Sequence, residues 1–208
     1  MSNILLKKSA FIHIPKCGGT FLQSLFFKLC LVEKQYMEPQ YGHLYLHQMN
    51  DVNDKYFFSF VRHPYTWWPS YYNWCKKDRF IDVERACPNF DVWLKEYGPF
   101  WMGQYTRMVQ RYIGEDPIYC CNKKINFVGK IEKIYDDTFF ALKESGEKFD
   151  EPEFLQCVHR VINGPKAKKH LNRQEYDRDI SDESKEFIYN SEKYIFDRFG
   201  YSKNGDIQ

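Results

Sequence analysis

Residues 10–20 read AFIHIPKCGGT, a short apolar run that leads into a turn with two adjacent glycines. The apolar part predicts a strand, and the residues after the turn have helical spacing. Glycines let a backbone approach an anion closely, and the first amides of a helix point toward such an anion. The stretch therefore predicts a phosphate cradle formed by the amides of Gly18, Gly19 and Thr20, the charge of Lys16 and the hydroxyl of Thr20.

The order of residues in this loop differs from that of a nucleoside triphosphate loop. That loop has the form G-x-x-x-x-G-K-[ST], with lysine after the glycines, whereas Lys16 comes before them. A Gly-Gly turn with a lysine nearby also suits a purely structural turn. Taken alone, the loop leaves both interpretations open.

A second candidate site follows residues 57–64, which read FFSFVRHP. The aromatic and β-branched run predicts another strand, with Arg62 at its carboxyl end and Ser70 about two turns along the next helix. Open α/β sheets bind ligands at the carboxyl ends of their strands. The sequence therefore predicts a second phosphate site that contains Arg62 and Ser70.

Together the two segments resemble the sulfotransferase family that uses 3′-phosphoadenosine 5′-phosphosulfate (PAPS). The first loop of that family is similar to HIPKCGGT, residues 13–20, and its second motif has an arginine and a serine eight positions apart, as Arg62 and Ser70 are. The resemblance continues through FVGKIE, residues 127–132, and the closing helix. It implies an α/β, three-layer, P-loop-like fold with a central parallel sheet flanked by helices, a helical insert and a single domain over residues 1–208.

The resemblance also implies which residues bind PAPS and its product, adenosine 3′,5′-bisphosphate (PAP). The loop around the 5′-phosphosulfate comprises Pro15, Lys16, Cys17, Gly18, Gly19, Thr20 and Phe21, and the 3′-phosphate is assigned to Arg62 and Ser70. A basic cluster at residues 166–173, with Lys169 and Arg173, lies where related enzymes close a loop over the nucleotide. The cluster completes the 3′-phosphate site or is a solvated charge run, and the sequence leaves both possibilities open.

Two positions depart from the commonest family pattern. Cys17 stands where threonine is frequent, which is tolerable because that position contributes mainly backbone. Trp67 and Trp68 stand where an arginine often precedes the serine. The tryptophans leave one positive charge fewer for the 3′-phosphate.

Sulfuryl transfer requires a base that deprotonates the acceptor and a cation that stabilises the departing phosphate. Lys16 is the candidate cation. His43, in the segment YGHL at residues 41–44, resembles the Gly-His segment that carries the base in some carbohydrate sulfotransferases. His47 and Glu132 are alternative bases, whereas a packed role is expected for His13.

The composition limits the partners of the chain. Its 208 residues carry a net charge of +2, so no broad basic field favours nucleic acid. Seven cysteines without paired C-x-x-C spacing argue against a disulfide framework, and we predict no metal. We also expect no membrane association and a cytoplasmic location, because no signal peptide or long apolar run is evident.

Periodicity and capping signals predict further elements along the chain. Helices are predicted over residues 69–77, 90–97 and 100–113, and a strand over residues 125–128. Asp136 or Asp137 is expected to cap a helix that Gly146 ends, and Ser181 to start a last helix that Gly200 ends. Residues 31–55 are predicted to form an irregular connection.

The leading hypothesis is therefore a PAPS-dependent sulfotransferase that acts on a hydroxyl of a sugar or another polar acceptor. A small-molecule kinase with a degenerate loop is one alternative, although ATP has no 3′-phosphate for Arg62 and Ser70 to bind. A nucleotide-binding or interaction protein of sulfotransferase fold, without turnover, is another. The sequence names neither the acceptor nor the oligomeric state.

Overall fold

A computed structural model describes residues 2–36, 44–49, 52, 54–78, 87, 89–118, 123–163 and 180–205. The chain forms two compact units. The first comprises Met1–Val61 and Val109–Gln174, and the second comprises Arg62–Met108 and Glu175–Gln208. None of the helices in the described ranges has the length and apolar character needed to cross a membrane.

The first unit is built on a five-stranded open sheet in the order β3-β1-β2-β4-β5. The strands are β1 (Asn3–Leu5), β2 (Ser9–Ile12), β3 (Lys34–Tyr36), β4 (Tyr56–Val61) and β5 (Phe127–Lys130). Strands β2, β4 and β5 run parallel, whereas β1 is antiparallel to both β2 and β3. The α/β class is confirmed, but the sheet is mixed. Only residues 6–8 join β1 to β2, and a parallel crossover needs about a dozen residues or more.

Eight α-helices lie within the described ranges. They are α1 (Gly19–Lys28), α2 (Pro64–Asp78), α3 (Phe90–Tyr97), α4 (Gln104–Ile113), α5 (Ile134–Glu144), α6 (Glu151–Asn163), α7 (Asp182–Ser191) and α8 (Lys193–Phe199). Short 3-10 turns span Leu46–Gln48, Gly98–Trp101 and Ile131–Lys133.

Aromatic side chains join α1 to the sheet. Phe11 of β2 and Phe58 of β4 are partners in the strand register, and their ring centroids lie 5.9 and 6.1 Å from that of Phe26. The apolar positions predicted for α1 are buried, including Phe21, Leu22, Leu25 and Phe26. Burial of large apolar side chains on this face fixes the helix that follows the loop.

Several predicted boundaries are wrong. The helix after β4 begins at Pro64 rather than Pro69, because proline at a first helical position lacks only an amide that would have no partner there. Residues 100 and 101 belong to a 3-10 turn and residues 102 and 103 to a further turn, so α4 starts only at Gln104. Strand β5 starts at Phe127, two residues after the predicted start.

Helix ends and one strand also differ from the predictions. Asp136 and Asp137 lie in the first turn of α5 rather than at its cap. Ser181 does cap α7, since its Oγ accepts from the amide of Ser184 at 3.2 Å, but the predicted last helix is divided at Glu192. Residues 34–36, predicted to be irregular, form β3.

Candidate functional site

The loop between β2 and α1 has a backbone that few sequences adopt. Lys16 and Gly18 have φ angles of +68° and +80°, in the left-handed region, and a residue other than glycine adopts such a φ at a cost. The amide of Cys17 donates to the carbonyl of Ile14 at 3.2 Å, and that of Phe21 donates to the carbonyl of Gly18 at 3.0 Å. The loop is therefore a defined turn that leads straight into the first turn of α1.

The loop leads the chain into the N-terminal end of α1. Helix α1 starts at Gly19, and its first internal hydrogen bonds run from Phe21 and Leu22 to the carbonyl of Gly18. The amides of Gly19 and Thr20 lie in this first turn, where the helix dipole is positive. Amides in this position can donate hydrogen bonds to a phosphate or sulfate oxygen.

The buried side chain of His13 packs against the loop. It is the first residue after β2, it is 1% exposed, and its ring lies directly against Gly19. A Cβ at residue 19 would lie 2.0 Å from the Nε2 atom of His13. His13 is thus a packed residue, and glycine at position 19 is required by space.

The turn after β5 packs against the other glycine. A Cβ at Gly18 would lie 2.7 Å from the Cδ1 of Ile134 and 3.4 Å from the Cγ2 of Ile131. Glu132, one of the alternative bases, lies between these two isoleucines and is half-buried. The structure therefore brings the Glu132 turn together with the loop, in a 3-10 turn rather than on a strand.

A carboxylate fixes the end of β5. The Oδ2 of Asp137 accepts from the amide of Lys130 at 2.6 Å. Burial raises the pKa of Asp137, although the Lys130 amide and the charges of Lys133 and Lys130 oppose this increase. Asp137 therefore holds the turn that contacts Gly18, a role that the sequence did not reveal.

The segment with the candidate histidine bases is only partly described. His43 lies outside the described residues, as do Lys169 and Arg173. His47 lies in the 3-10 turn Leu46–Gln48, and its ring stacks on that of Tyr45 with centroids 5.7 Å apart and an interplanar angle of 21°. The ring of Tyr112 meets Tyr45 edge-on at 4.8 Å.

Asn3 of β1 links this segment to the loop. Its carboxamide is completely buried, its Oδ1 accepts from the amide of His13 at 2.9 Å, and its Nδ2 donates to the carbonyl of Leu44 at 2.7 Å. A single side chain thus connects the entry of the loop with the residue that precedes Tyr45. Sequence reasoning missed Asn3, because its partners are 10 and 41 residues away in the chain.

In the second unit, Arg62 is held at both its backbone and its side chain. The hydroxyl of Tyr105 accepts from the amide of Arg62 at 2.7 Å and lies 2.9 Å from its carbonyl oxygen. The guanidinium Nε donates to the Oγ1 of Thr66 at 2.9 Å. Thr66 is a candidate site residue that sequence reasoning missed, although its place four residues after Arg62 and four before Ser70 is visible in the sequence.

Ser70 lies one helical turn after Thr66 and is 3% exposed. The two tryptophans that replace the expected arginine belong to the core of the second unit. Trp67 stacks between Tyr71 and Tyr105, with centroids at 4.8 and 4.3 Å, and the indole N–H of Trp68 donates to Glu192 at 3.2 Å. These tryptophans shape the helix that carries Ser70 and supply no charge.

The described site residues thus fall into two groups, each within one unit. Pro15, Lys16, Cys17, Gly18, Gly19, Thr20 and Phe21 form the loop, with Cys17 and Phe21 buried and Lys16 half-buried. Arg62 lies two residues before α2 and Ser70 lies within it, and Thr66, between them in the sequence, accepts from the Arg62 Nε. Comparison of the chain with family models, curated proteins and solved structures finds no match in any of the three.

Proposed function

We propose that the protein is a PAPS-dependent sulfotransferase that transfers a sulfuryl group to an acceptor hydroxyl of a sugar or another polar molecule and releases PAP. The observation that carries the proposal is the loop from Pro15 to Thr20. It combines a lysine before the glycines, left-handed backbone at Lys16 and Gly18, and the start of a helix at Gly19. These features favour an anion held by backbone amides and one adjacent cation.

The proposed reaction assigns a role to the order of residues in the loop. The acceptor oxygen forms a bond to sulfur while the bond from sulfur to the bridging phosphate oxygen breaks, and the acceptor proton passes to a base. Lys16 stabilises the negative charge that develops on the bridging oxygen, while the amides of Gly19 and Thr20 hold the phosphate. Positioning and charge stabilisation supply most of the barrier reduction, as in phosphoryl transfer.

Arg62 and Ser70 support PAPS over ATP as the donor. The resemblance assigns them to the 3′-phosphate, which ATP lacks. The guanidinium of Arg62 is oriented by Thr66 at 2.9 Å, and an oriented guanidinium suits a phosphate group. If the protein were a kinase that uses ATP, Arg62 and Ser70 would have no phosphate to bind.

The base is assigned to His43, with His47 and Glu132 as the alternatives. A histidine has an ordinary pKa close to neutrality, which suits proton abstraction at cellular pH. Glu132 gains support from its position between Ile131 and Ile134, which contact Gly18 of the loop. His47 gains support from the tie between its segment and the loop through Asn3.

The test is an acceptor screen with radiolabelled PAPS over simple sugars, oligosaccharides, phenols and amines. We expect label to appear in a hydroxyl acceptor together with an equal amount of PAP. His43→Ala, His47→Ala and Glu132→Gln are compared on the best acceptor, and loss of the base should lower the rate by about a hundredfold to ten-thousandfold. Binding of PAP without transfer to any acceptor would favour the inactive binding protein, and phosphoryl transfer from labelled ATP would favour the kinase.

A further inference from the structure

The carboxamide of Asn3 has two distinct ends with two distinct partners. Its carbonyl oxygen accepts from the amide of His13, at the entry of the loop, at 2.9 Å. Its NH2 group donates to the carbonyl of Leu44 at 2.7 Å and lies 3.5 Å from the sulfur of Met49. A backbone amide can only donate and a backbone carbonyl can only accept, so these partners fix the orientation of the carboxamide.

Because the Asn3 side chain is buried, loss of these hydrogen bonds would cost free energy of folding. The Asn3 side chain is fully buried, and a buried amide without partners is costly. Each end therefore holds its partner in place. The partners are 10 and 41 residues away from Asn3 in the chain, so the bonds are tertiary ties rather than local turns.

Further hydrogen bonds hold the Leu44–Met49 segment in a defined conformation. The amide of Tyr45 donates to the side-chain oxygen of Gln48 at 2.7 Å, and the amide of Gln48 donates to the carbonyl of Tyr45 at 2.9 Å. The Lys123 ammonium group donates to the carbonyl of Met49. Leu44 thus leads directly into the hydrogen-bonded turn that carries His47.

We propose that Asn3 is a positioning residue that ties the segment carrying His47, one of the alternative bases, to the entry of the phosphate loop. The carbonyl end supports the loop and hence donor binding, and the NH2 end supports the Leu44 segment and hence the transfer step. This inference rests on the proposed function, and it deepens that function by dividing one side chain between two steps of the reaction.

The Asn3→Asp substitution tests the two ends of the carboxamide separately. The variant keeps an acceptor for the His13 amide but replaces the NH2 group with an oxygen, which repels the Leu44 carbonyl when ionised and donates to it when protonated. Burial raises the pKa of a carboxyl group, so acid restores the donor. Ionisable groups on the neighbouring elements include His13 after β2, Tyr36 at the paired position of β3 and His47 in the turn, and wild-type protein measured over the same pH range corrects for them.

We expect Asn3→Asp to keep PAP affinity within about twofold and to lower kcat at least tenfold at pH 8, with recovery toward the wild-type value at pH 5. Asn3→Ala removes both ends and should weaken PAP binding as well as kcat. Ser2→Ala is the matched control, because it removes a buried hydroxyl next to Asn3 that accepts from Gln35 of β3 at 2.7 Å. It should lower stability and leave kcat unchanged.

Hydrogen exchange provides a readout that is independent of turnover. Amides of Leu44–Met49 should exchange faster in Asn3→Asp than in wild type at pH 8, and at the wild-type rate at pH 5. Unchanged exchange, or wild-type kcat at pH 8, would overturn the role of Asn3. A wild-type protein that turns over no PAPS would overturn the proposed function instead, while the exchange result would still decide whether Asn3 ties the segment.

Discussion

The ring of His13 lies so close to Gly19 that a Cβ at residue 19 would stand 2.0 Å from its Nε2 atom. The His13 ring therefore packs closely against the loop. Gly19, the first residue of α1, has no space for a side chain larger than hydrogen. Because the amide of Gly19 belongs to the proposed phosphate cradle, the packing of His13 and the proposed ligand binding depend on the same backbone.

Gly19→Ala should destabilise the protein by roughly 1–3 kcal/mol, because the added methyl group must displace the His13 ring. It should also weaken PAP binding. In a double-mutant cycle measured by urea unfolding, His13→Ser should reduce the cost of Gly19→Ala, since the ring that causes the clash is gone.

Gly146→Ala is the control for this cycle. Gly146 has a φ of +73° but no atom within 4 Å of its Cβ position. The substitution costs backbone strain alone, and His13→Ser should not change that cost. If the effects of His13→Ser and Gly19→Ala on the free energy of unfolding were fully additive, the close packing of His13 against Gly19 would be contradicted.

Lys16 allows backbone strain and charge to be measured separately. Lys16→Ala and Lys16→Gly both remove the ammonium group, and each should lower sulfuryl transfer by about a hundredfold or more. Lys16→Gly should be more stable than Lys16→Ala by about 1 kcal/mol, because alanine bears the cost of the left-handed φ of +68° and glycine does not. Calorimetric unfolding of the two variants measures the difference, and equal stabilities would argue against strain at this position.

Arg62 is expected to distinguish nucleotides by their 3′-phosphate. Arg62→Ala should weaken PAP binding by about tenfold to a hundredfold, the usual effect of losing a hydrogen bond to a charged group, and should leave AMP binding nearly unchanged. Thr66→Val, which removes the acceptor of the Arg62 Nε, should give a smaller loss of the same kind. Titration calorimetry with both nucleotides provides the comparison, and an equal loss for AMP would remove Arg62 from the 3′-phosphate site.

Glu192 should make the stability of the protein depend on pH. Burial raises the pKa of this carboxyl from 4.5 to about 7, against the opposing effect of hydrogen bonds from Thr106, Tyr105 and Trp68. A carboxyl whose pKa is raised in the folded state favours folding fully below its unfolded pKa, and this contribution is lost as pH rises through 7. From pH 5 to pH 8 the loss should be on the order of 2 to 3 kcal/mol.

Glu192→Gln cannot ionise, so it should remove this part of the pH dependence. The variant should be less stable than wild type at pH 5, because its NH2 group replaces one acceptor oxygen of Glu192, and its free energy of unfolding should change less between pH 5 and pH 8. Urea unfolding followed by tryptophan fluorescence measures both slopes. Identical slopes would show that Glu192 does not titrate in this range.

The sequence predicts the parts of the fold that local patterns determine. Strand β4 and helix α3 carry clear apolar patterns, and the caps Ser181 and Gly200 act within a few residues of themselves. Strands β1 and β3 have three residues each, too few to show a period, and they form because they pair with each other. The predicted start of α2 at Pro69 is wrong because Pro64 also suits a first helical position, and the helix begins there.

The candidate site divides in the same way. The loop residues are contiguous, so the sequence alone predicts their strand, glycine turn and helix start. Asn3, Thr66 and Asp137 act through partners that the fold supplies, namely Leu44, Arg62 and the amide of Lys130. The two hydrogen bonds of Asn3 join distant parts of the chain, and no spacing in the sequence signals them.

The most direct test of the central claim is calorimetric titration of the wild-type protein with PAP, AMP and ATP. A sulfotransferase donor site should bind PAP more tightly than AMP, through Arg62 and Ser70, and ATP more weakly than PAP. Thermal unfolding should show the same order, because a ligand that binds the folded state alone stabilises it. Binding of ATP without binding of PAP would contradict the assignment of the loop to a PAPS-dependent sulfotransferase.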